Sequence, residues 1–105
     1  MEHSVEYQIF IGCSDPQLNS ELVDETELRA IVTSFFKRNE VDFTVLSAKG
    51  GYLTKAGWFI TENTLCIDII GSSDMDIIKL ARSLSSYMNQ ECSLVIRNAV
   101  QVSYQ

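Results

Sequence analysis

DFTVLSAKGGYLTKAGWFITENTLCIDIIG, residues 42–71, decides the fold. Its first part, DFTVLSAKGGYLT, alternates apolar and polar residues with the period of a strand. T-K-A-G then supplies a turn, and WFITENTLCIDIIG resumes the alternation as far as Gly71. The two halves make one long hairpin. Paired glycines weaken a strand and mark bulges, so a bend is expected at Gly50 and Gly51.

On the N-terminal side, VEYQIFIG (5–12) reads as a strand with Val5, Tyr7, Ile9 and Ile11 on one face and Phe10 on the other. CSDPQLNSELVDE holds the single proline and several turn formers, and is expected to be a loop of about a dozen residues. Asp24 with Glu27 three residues on resembles a capping box, and Leu28, Ile31, Val32, Phe35 and Phe36 follow at helical spacing. A helix over about 25–38 follows from that pattern, with acids in its first turn and Lys37 and Arg38 in its last.

Beyond the hairpin, Ser72 or Ser73 is positioned to cap DMDIIKLARSLSSYMNQ. There Ile77, Ile78, Leu80, Ala81, Leu84, Tyr87 and Met88 form one apolar helix face. ECSLVIRNAVQVSYQ closes the chain as a strand, expected to be interrupted near Asn98. The order β-α-β-β-α-β places two helices on one face of a four-stranded antiparallel sheet, an α+β, ferredoxin-like arrangement. Tyr7, Phe10, Phe43, Leu53, Phe59 and Tyr104 do not all fit under two helices, so the second sheet face is expected to be partly apolar and covered in a homodimer.

The 105 residues, 46% of them hydrophobic, suffice for a single domain over 1–105 with its own core. Without a basic and apolar leader or a run long enough to span a bilayer, the expectation is a cytoplasmic protein with no membrane association. Cys13, Cys66 and Cys92 show no C-x-x-C spacing and sit in apolar contexts, the pattern of buried core thiols. The net charge of −6 is localised. Glu2, Glu6, Asp15, Glu21, Asp24, Glu25 and Glu27 all precede the first basic residue, Arg29. Such a field disfavours direct nucleic-acid or anionic-membrane contact and favours a basic protein partner.

Catalytic residues are not evident. His3 is the only histidine and lies at an end expected to fray, which leaves no base for a Ser or Cys nucleophile and no histidine pair for a metal. Asp74 and Asp76 are explained as helix-dipole complements, and Asp68, inside an apolar strand, as edge protection. G-G-Y-L-T-K-A-G is not a phosphate loop, since Trp58 and a strand follow Gly57 where a Walker loop has Lys and a helix. Tyr52 and Trp58 near Lys49, Lys55 and Arg97 could form a base-stacking platform, but the overall charge opposes it. No cofactor and no metal is expected.

Thr44-Val45-Leu46, Gly50 with Tyr52, Gly57, Glu62 and Asn89-Gln90-Glu91 before a last strand form a series over residues 43–104. The series resembles a family of small bacterial and phage proteins known as a domain of unknown function. Tyr52 stands where that family tends to carry Trp, and KRNEVDF stands where a Pro-Phe-Pro element is expected. The resemblance implies the ferredoxin-like fold and no assigned activity. Physically, Gly57 permits the turn, and Glu62 and Gln90 are suited to bond across the sheet end and fix the second helix.

Three functions fit. In the first, Asp15, Glu21, Asp24, Glu25 and Glu27 dock on a basic surface of a nucleic-acid-handling protein, as a phage-type anti-defence inhibitor would. In the second, an oligomer binds a nucleotide-like small molecule in a pocket built from Lys49, Tyr52, Lys55, Trp58, Glu62 and Gln90. The third is a small dimeric enzyme using Glu62 or Asp68 as a base.

Overall fold

The computed structural model describes residues 1–12, 24–71, 76–88 and 94–105, and the backbone of 14–15 and 20–21. Strand β1 is Glu2–Gly12, helix α1 Glu25–Arg38, strand β2 Thr44–Leu53, strand β3 Phe59–Gly71, helix α2 Ile77–Met88 and strand β4 Leu94–Val102. The sheet order is β2-β3-β1-β4, with every neighbouring pair antiparallel. This is the ferredoxin-like fold.

Strict alternation in the two central strands creates the core. Val5, Tyr7, Ile9 and Ile11 of β1 and Leu65, Ile67 and Ile69 of β3 point to the helix-covered face and are buried. Ile9 is the partner of both Ile67 and Val95, and Val45 continues the row on β2. From above, α1 contributes Leu28, Val32, Phe35 and Phe36, and α2 contributes Ile77, Ala81, Leu84 and Met88. Phe36 stacks on Phe43 at 5.1 Å between ring centroids, and Phe35 meets Phe36 edge-on. At the α1–α2 contact the Tyr87 ring centroid lies 5.7 Å from that of Phe35, and the Arg38 guanidinium sits over the Tyr87 ring at 5.4 Å.

Local signals explain most boundaries. Asp24 caps α1 by accepting from the Thr26 N–H at 3.0 Å. At its far end the Val41 N–H reaches the Phe36 carbonyl and the Glu40 N–H the Lys37 carbonyl, a Schellman closure with Glu40 at φ 56°. Helix α2 is capped by Asp76, whose Oδ1 accepts from the Lys79 N–H at 3.0 Å. Asp76 therefore holds the capping role assigned above to Ser72 or Ser73. Those serines and Asp74 lie outside the described residues.

Four expectations are corrected. The β2–β3 register runs unbroken from Thr44↔Asp68 to Leu53↔Phe59, so no bulge sits at Gly50 and Gly51. These glycines instead make room for neighbours: a Cβ at Gly51 would lie 2.8 Å from Phe59 Cε1, and one at Gly50 3.3 Å from Thr64 Oγ1. Strand β4 is continuous through Asn98, which pairs with Glu6, and His3 is held in β1 opposite Gln101. The dozen-residue loop contains a two-rung ribbon, Ser14↔Glu21 and Asp15↔Ser20. Cys66 is buried as expected but on the face away from the helices, whereas Cys13 and Cys92 lie outside the described residues.

An L-residue in the left-handed region costs about 1 kcal/mol relative to glycine. Glu40→Gly is therefore expected to stabilise the fold by about 1 kcal/mol, and Ile67→Ala to cost about 2–5 kcal/mol by leaving a cavity. Urea unfolding of the two variants beside the wild type checks both signs.

Candidate functional site

The face of the sheet opposite the helices carries the even-numbered strand residues, and no described element covers it. Leu46, Ile70 and Leu94 are exposed there, beside half-buried Phe10, Ile60, Ile96, Val100 and Val102. This is the partly apolar second face expected above. Leu53 and Phe59, also exposed, form a cross-strand pair at the hairpin tip. Trp58 sits in the turn itself, 71% exposed, where its N–H bonds Thr54 Oγ1 and Gly57 adopts φ 89°.

Two polar groups come together on the open face toward that tip. Tyr52 and Glu62 are diagonal neighbours, because Tyr52 pairs with Ile60 and Glu62 with Gly50. The Tyr52 hydroxyl is buried, with no hydrogen-bond partner among the described residues. A buried, unsatisfied hydroxyl is costly, which marks it as a group whose partner comes from elsewhere. The Glu62 carboxylate lies across Gly12, where an added Cβ would stand 2.6 Å from Oε1 and 2.7 Å from Oε2. Gly12 and Gly50 thus clear the sheet on either side of Glu62 and the buried Thr64.

The rest of the expected pocket does not assemble there. Lys49 pairs with Asn63 in the helix-facing phase, Lys55 is in the exposed turn, and Gln90 lies outside the described residues. Glu62 faces away from α2, so it cannot fix that helix as expected. Gly12 and Thr64 were not visible as site residues from sequence. Their roles depend on the β1–β3 offset, in which Gly12 pairs with Thr64.

A second polar feature occupies the middle of the open face. Asp68 lies on the interior strand β3, not at an edge, so edge protection is not its role. It is diagonal to Glu6 on β1, since Gln8 is the partner of Asp68 and Glu6 of Ile70. Burial holds the Asp68 carboxyl above the usual carboxylate range, helped by a side-chain hydrogen bond with Glu6 and by the Glu6 charge, against a lowering bond from the Ile69 backbone. Its Oδ1 is buried without a partner among the described residues. Beside it, burial first, then Asp68 and Glu6, raise the Cys66 thiol, which disfavours a nucleophilic thiolate.

The charges of the sheet are sorted by face. On the open side the strand register places Glu2, Glu6, Glu62 and Asp68, all acids, while His3, Lys49 and Arg97 fall in the opposite phase. At the start of α1 the acids are partly committed within the chain. Asp24 is the cap, Glu25 meets Arg29 at 3.5 Å and accepts from the Ser47 hydroxyl, and Arg29 reaches the Val45 carbonyl. Glu27 is exposed, and the side chains of Asp15 and Glu21 lie outside the described residues.

Known structures share this architecture. A phage SAM lyase in its apo state superposes with a TM-score of 0.61 at 17% identity, covering 99% of this chain and 98% of that one. Its complex with S-methyl-5'-thioadenosine gives 0.56, also at 17% identity, over 92% and 90% of the two chains. The Bacillus subtilis GlnK–ATP complex gives 0.53 at 13% identity over 93% and 82%. CutA of Archaeoglobus fulgidus, a periplasmic divalent cation tolerance protein, gives 0.53 at 10% identity over 99% and 87%. No protein-family model matches the sequence, and no curated protein does. At these identities the likeness establishes the fold alone.

A carboxyl whose pKa is raised on folding favours the native state at low pH, and this advantage is lost as pH climbs from the ordinary carboxylate range through the raised value. Asp68→Asn is therefore expected to gain stability relative to the wild type as pH increases. Thermal melts of both proteins at low concentration, from about pH 4 to about pH 8, read the effect. Parallel curves would show that Asp68 has an ordinary pKa.

Proposed function

We propose that copies of this chain associate through the open face and hold a cationic adenosyl ligand beside Tyr52 and Glu62, with S-adenosylmethionine as the type, and that the chain cleaves it as a lyase. The observation that carries the reading is the all-acid charge of a partly apolar face bearing an unsatisfied tyrosine hydroxyl. Two of the proteins with this fold are described in complex with adenine nucleosides or nucleotides. Carboxylates without a compensating base repel a polyphosphate and attract a sulfonium or ammonium ion. That charge selects among adenosine-containing ligands.

The thin catalytic inventory is compatible with this chemistry. A sulfonium is an activated leaving group. If the bond between sulfur and the aminobutyrate chain breaks, the electron pair goes to sulfur and the product is neutral S-methyl-5'-thioadenosine. The ligand's own carboxylate oxygen can form the new bond at the carbon that sulfur leaves, giving a lactone with no added acid, base, metal or water. The protein's task is then to fold the ligand into that geometry and keep water out. Glu62 is suited to accept from the ligand ammonium, and the Tyr52 hydroxyl to donate to an oxygen of the ligand.

Docking of the acidic N-terminal region on a basic protein ranks second. Two of its carboxylates, Asp24 and Glu25, are already bonded within the chain.

Titration with S-adenosylmethionine, followed by Trp58 fluorescence and by mass spectrometry of the products, tests the proposal. Saturable binding and release of S-methyl-5'-thioadenosine are expected. Glu62→Gln should weaken binding roughly tenfold to a hundredfold, the scale of one charge-assisted hydrogen bond. Gly12→Ala should act in the same direction by displacing the Glu62 carboxylate. Binding of ATP in preference to S-adenosylmethionine would overturn the charge argument, and absence of both binding and product would overturn the reading.

A further inference from the structure

We propose that the tip of the β2–β3 hairpin of one copy lies on the open sheet face of the next, so that each copy gives an arm and receives one. The inference rests on the reading that copies associate through the open face, and names what each lays there. Pairing of β3 with β1 stops at Gly12↔Thr64, whereas its pairing with β2 continues from Lys49↔Asn63 to Leu53↔Phe59. The rungs formed by residues 49 to 53 run past the end of β1 as a ribbon about 17 Å long, at about 3.4 Å per residue. A two-stranded ribbon is barely stable alone in water, and this one ends in apolar side chains. Leu53, Trp58 and Phe59 are 65%, 71% and 71% exposed. Leu53 and Phe59 share the strand phase of the buried rows, yet the helices leave them bare.

Charge identifies what the arm fits. Lys49 stands on that same side of the ribbon, Lys55 follows in the turn, and the remaining residues of that side, Gly51, Thr61 and Asn63, bring no acid. Glu62, the one acid between residues 49 and 63, belongs to the opposite phase with Tyr52. The arm thus presents apolar surface together with positive charge. The open face presents apolar Leu46, Ile70 and Leu94 together with Glu2, Glu6 and Asp68. The two surfaces match in hydrophobicity and are opposite in sign, which steers them together and fixes the partner. Laying two open faces on each other would set acids against acids, which opposes association. A contact between two different surfaces leaves each copy with an arm to place and a face to fill, and a closed set of copies satisfies both.

Sedimentation velocity of the full chain without ligand, over a concentration series, and the emission of Trp58, the single tryptophan, test the arrangement. Association should move the Trp58 emission to shorter wavelength, because docking takes an exposed indole out of water. Lys49→Glu combined with Lys55→Glu, verified as folded by circular dichroism, should associate at least about tenfold more weakly at low salt, since both reversals set acids against the acidic face. The same loss is expected of Glu2→Lys combined with Glu6→Lys. An equimolar mixture of the two double variants should recover association, because each arm then meets a face of opposite sign. Wild-type association of the arm variant, a mixture that stays dissociated, or a Trp58 emission that does not move as copies assemble would overturn the arm as occupant, while leaving the adenosyl site standing. A chain that is monomeric at every concentration would overturn it too, and if that monomer still released S-methyl-5'-thioadenosine, the adenosyl reading would survive without the covered face. Absence of that product from a chain that assembles through its arm would overturn the adenosyl reading alone.

Discussion

The whole structure depends on the antiparallel pairing of β1 with β3. These strands are central, and each has one phase that is almost wholly apolar: Val5, Tyr7, Ile9 and Ile11 against Leu65, Ile67 and Ile69. A slip of one residue in this pair would turn the buried set of one strand toward solvent, and bring either Glu6 and Gln8 or Asp68 and Cys66 under the helices. The energetic difference between the two registers is therefore large. Once this register holds, the helices have a single face on which to pack. Glu2, Glu6, Glu62, Asp68 and Tyr52 are then assigned to the opposite one.

That division accounts for what was legible in the sequence. The hydrophobic periods of α1 and α2 and the alternation of the hairpin are local, and they gave the element order, the helix stripes and the sheet topology. The open apolar face followed from counting large residues against the area two helices cover. What remained hidden depends on offsets between strands distant in sequence. Nothing near Gly12 announces that Glu62 lies over it, and Glu6 with Asp68 is a pair only because Gln8 is aligned with Asp68. The same limit explains the misread glycines. Gly50 and Gly51 look like a bend when read along one strand, but across the ladder they are the spaces that Thr64 and Phe59 occupy.

Lys49, Tyr52, Lys55, Trp58 and Glu62 are close in the chain and were grouped on that ground. In a strand, closeness in sequence separates residues as often as it joins them, because side chains alternate between faces. Tyr52 and Glu62, ten positions apart, share a face, while Lys49, only one position from Gly50, lies on the other. Removing the lysines changes the chemistry of the site. A group with two lysines suggests an anion such as a nucleotide phosphate, whereas Tyr52 and Glu62 on a face with only acids favour a cation.

The sorting of charge also bears on what chemistry so small a chain could support. The one histidine is held in β1 on the phase opposite the open face, so the titratable groups that face offers are carboxyls, the Cys66 thiol and the Tyr52 hydroxyl. A reaction in which the substrate brings both the leaving group and the nucleophile requires mainly confinement, and under the proposed association the partly apolar sheet face would supply it. Acids on that surface would attract a cation, yet unshielded they oppose closure of two like faces, so a bound cation and the association of copies would favour each other.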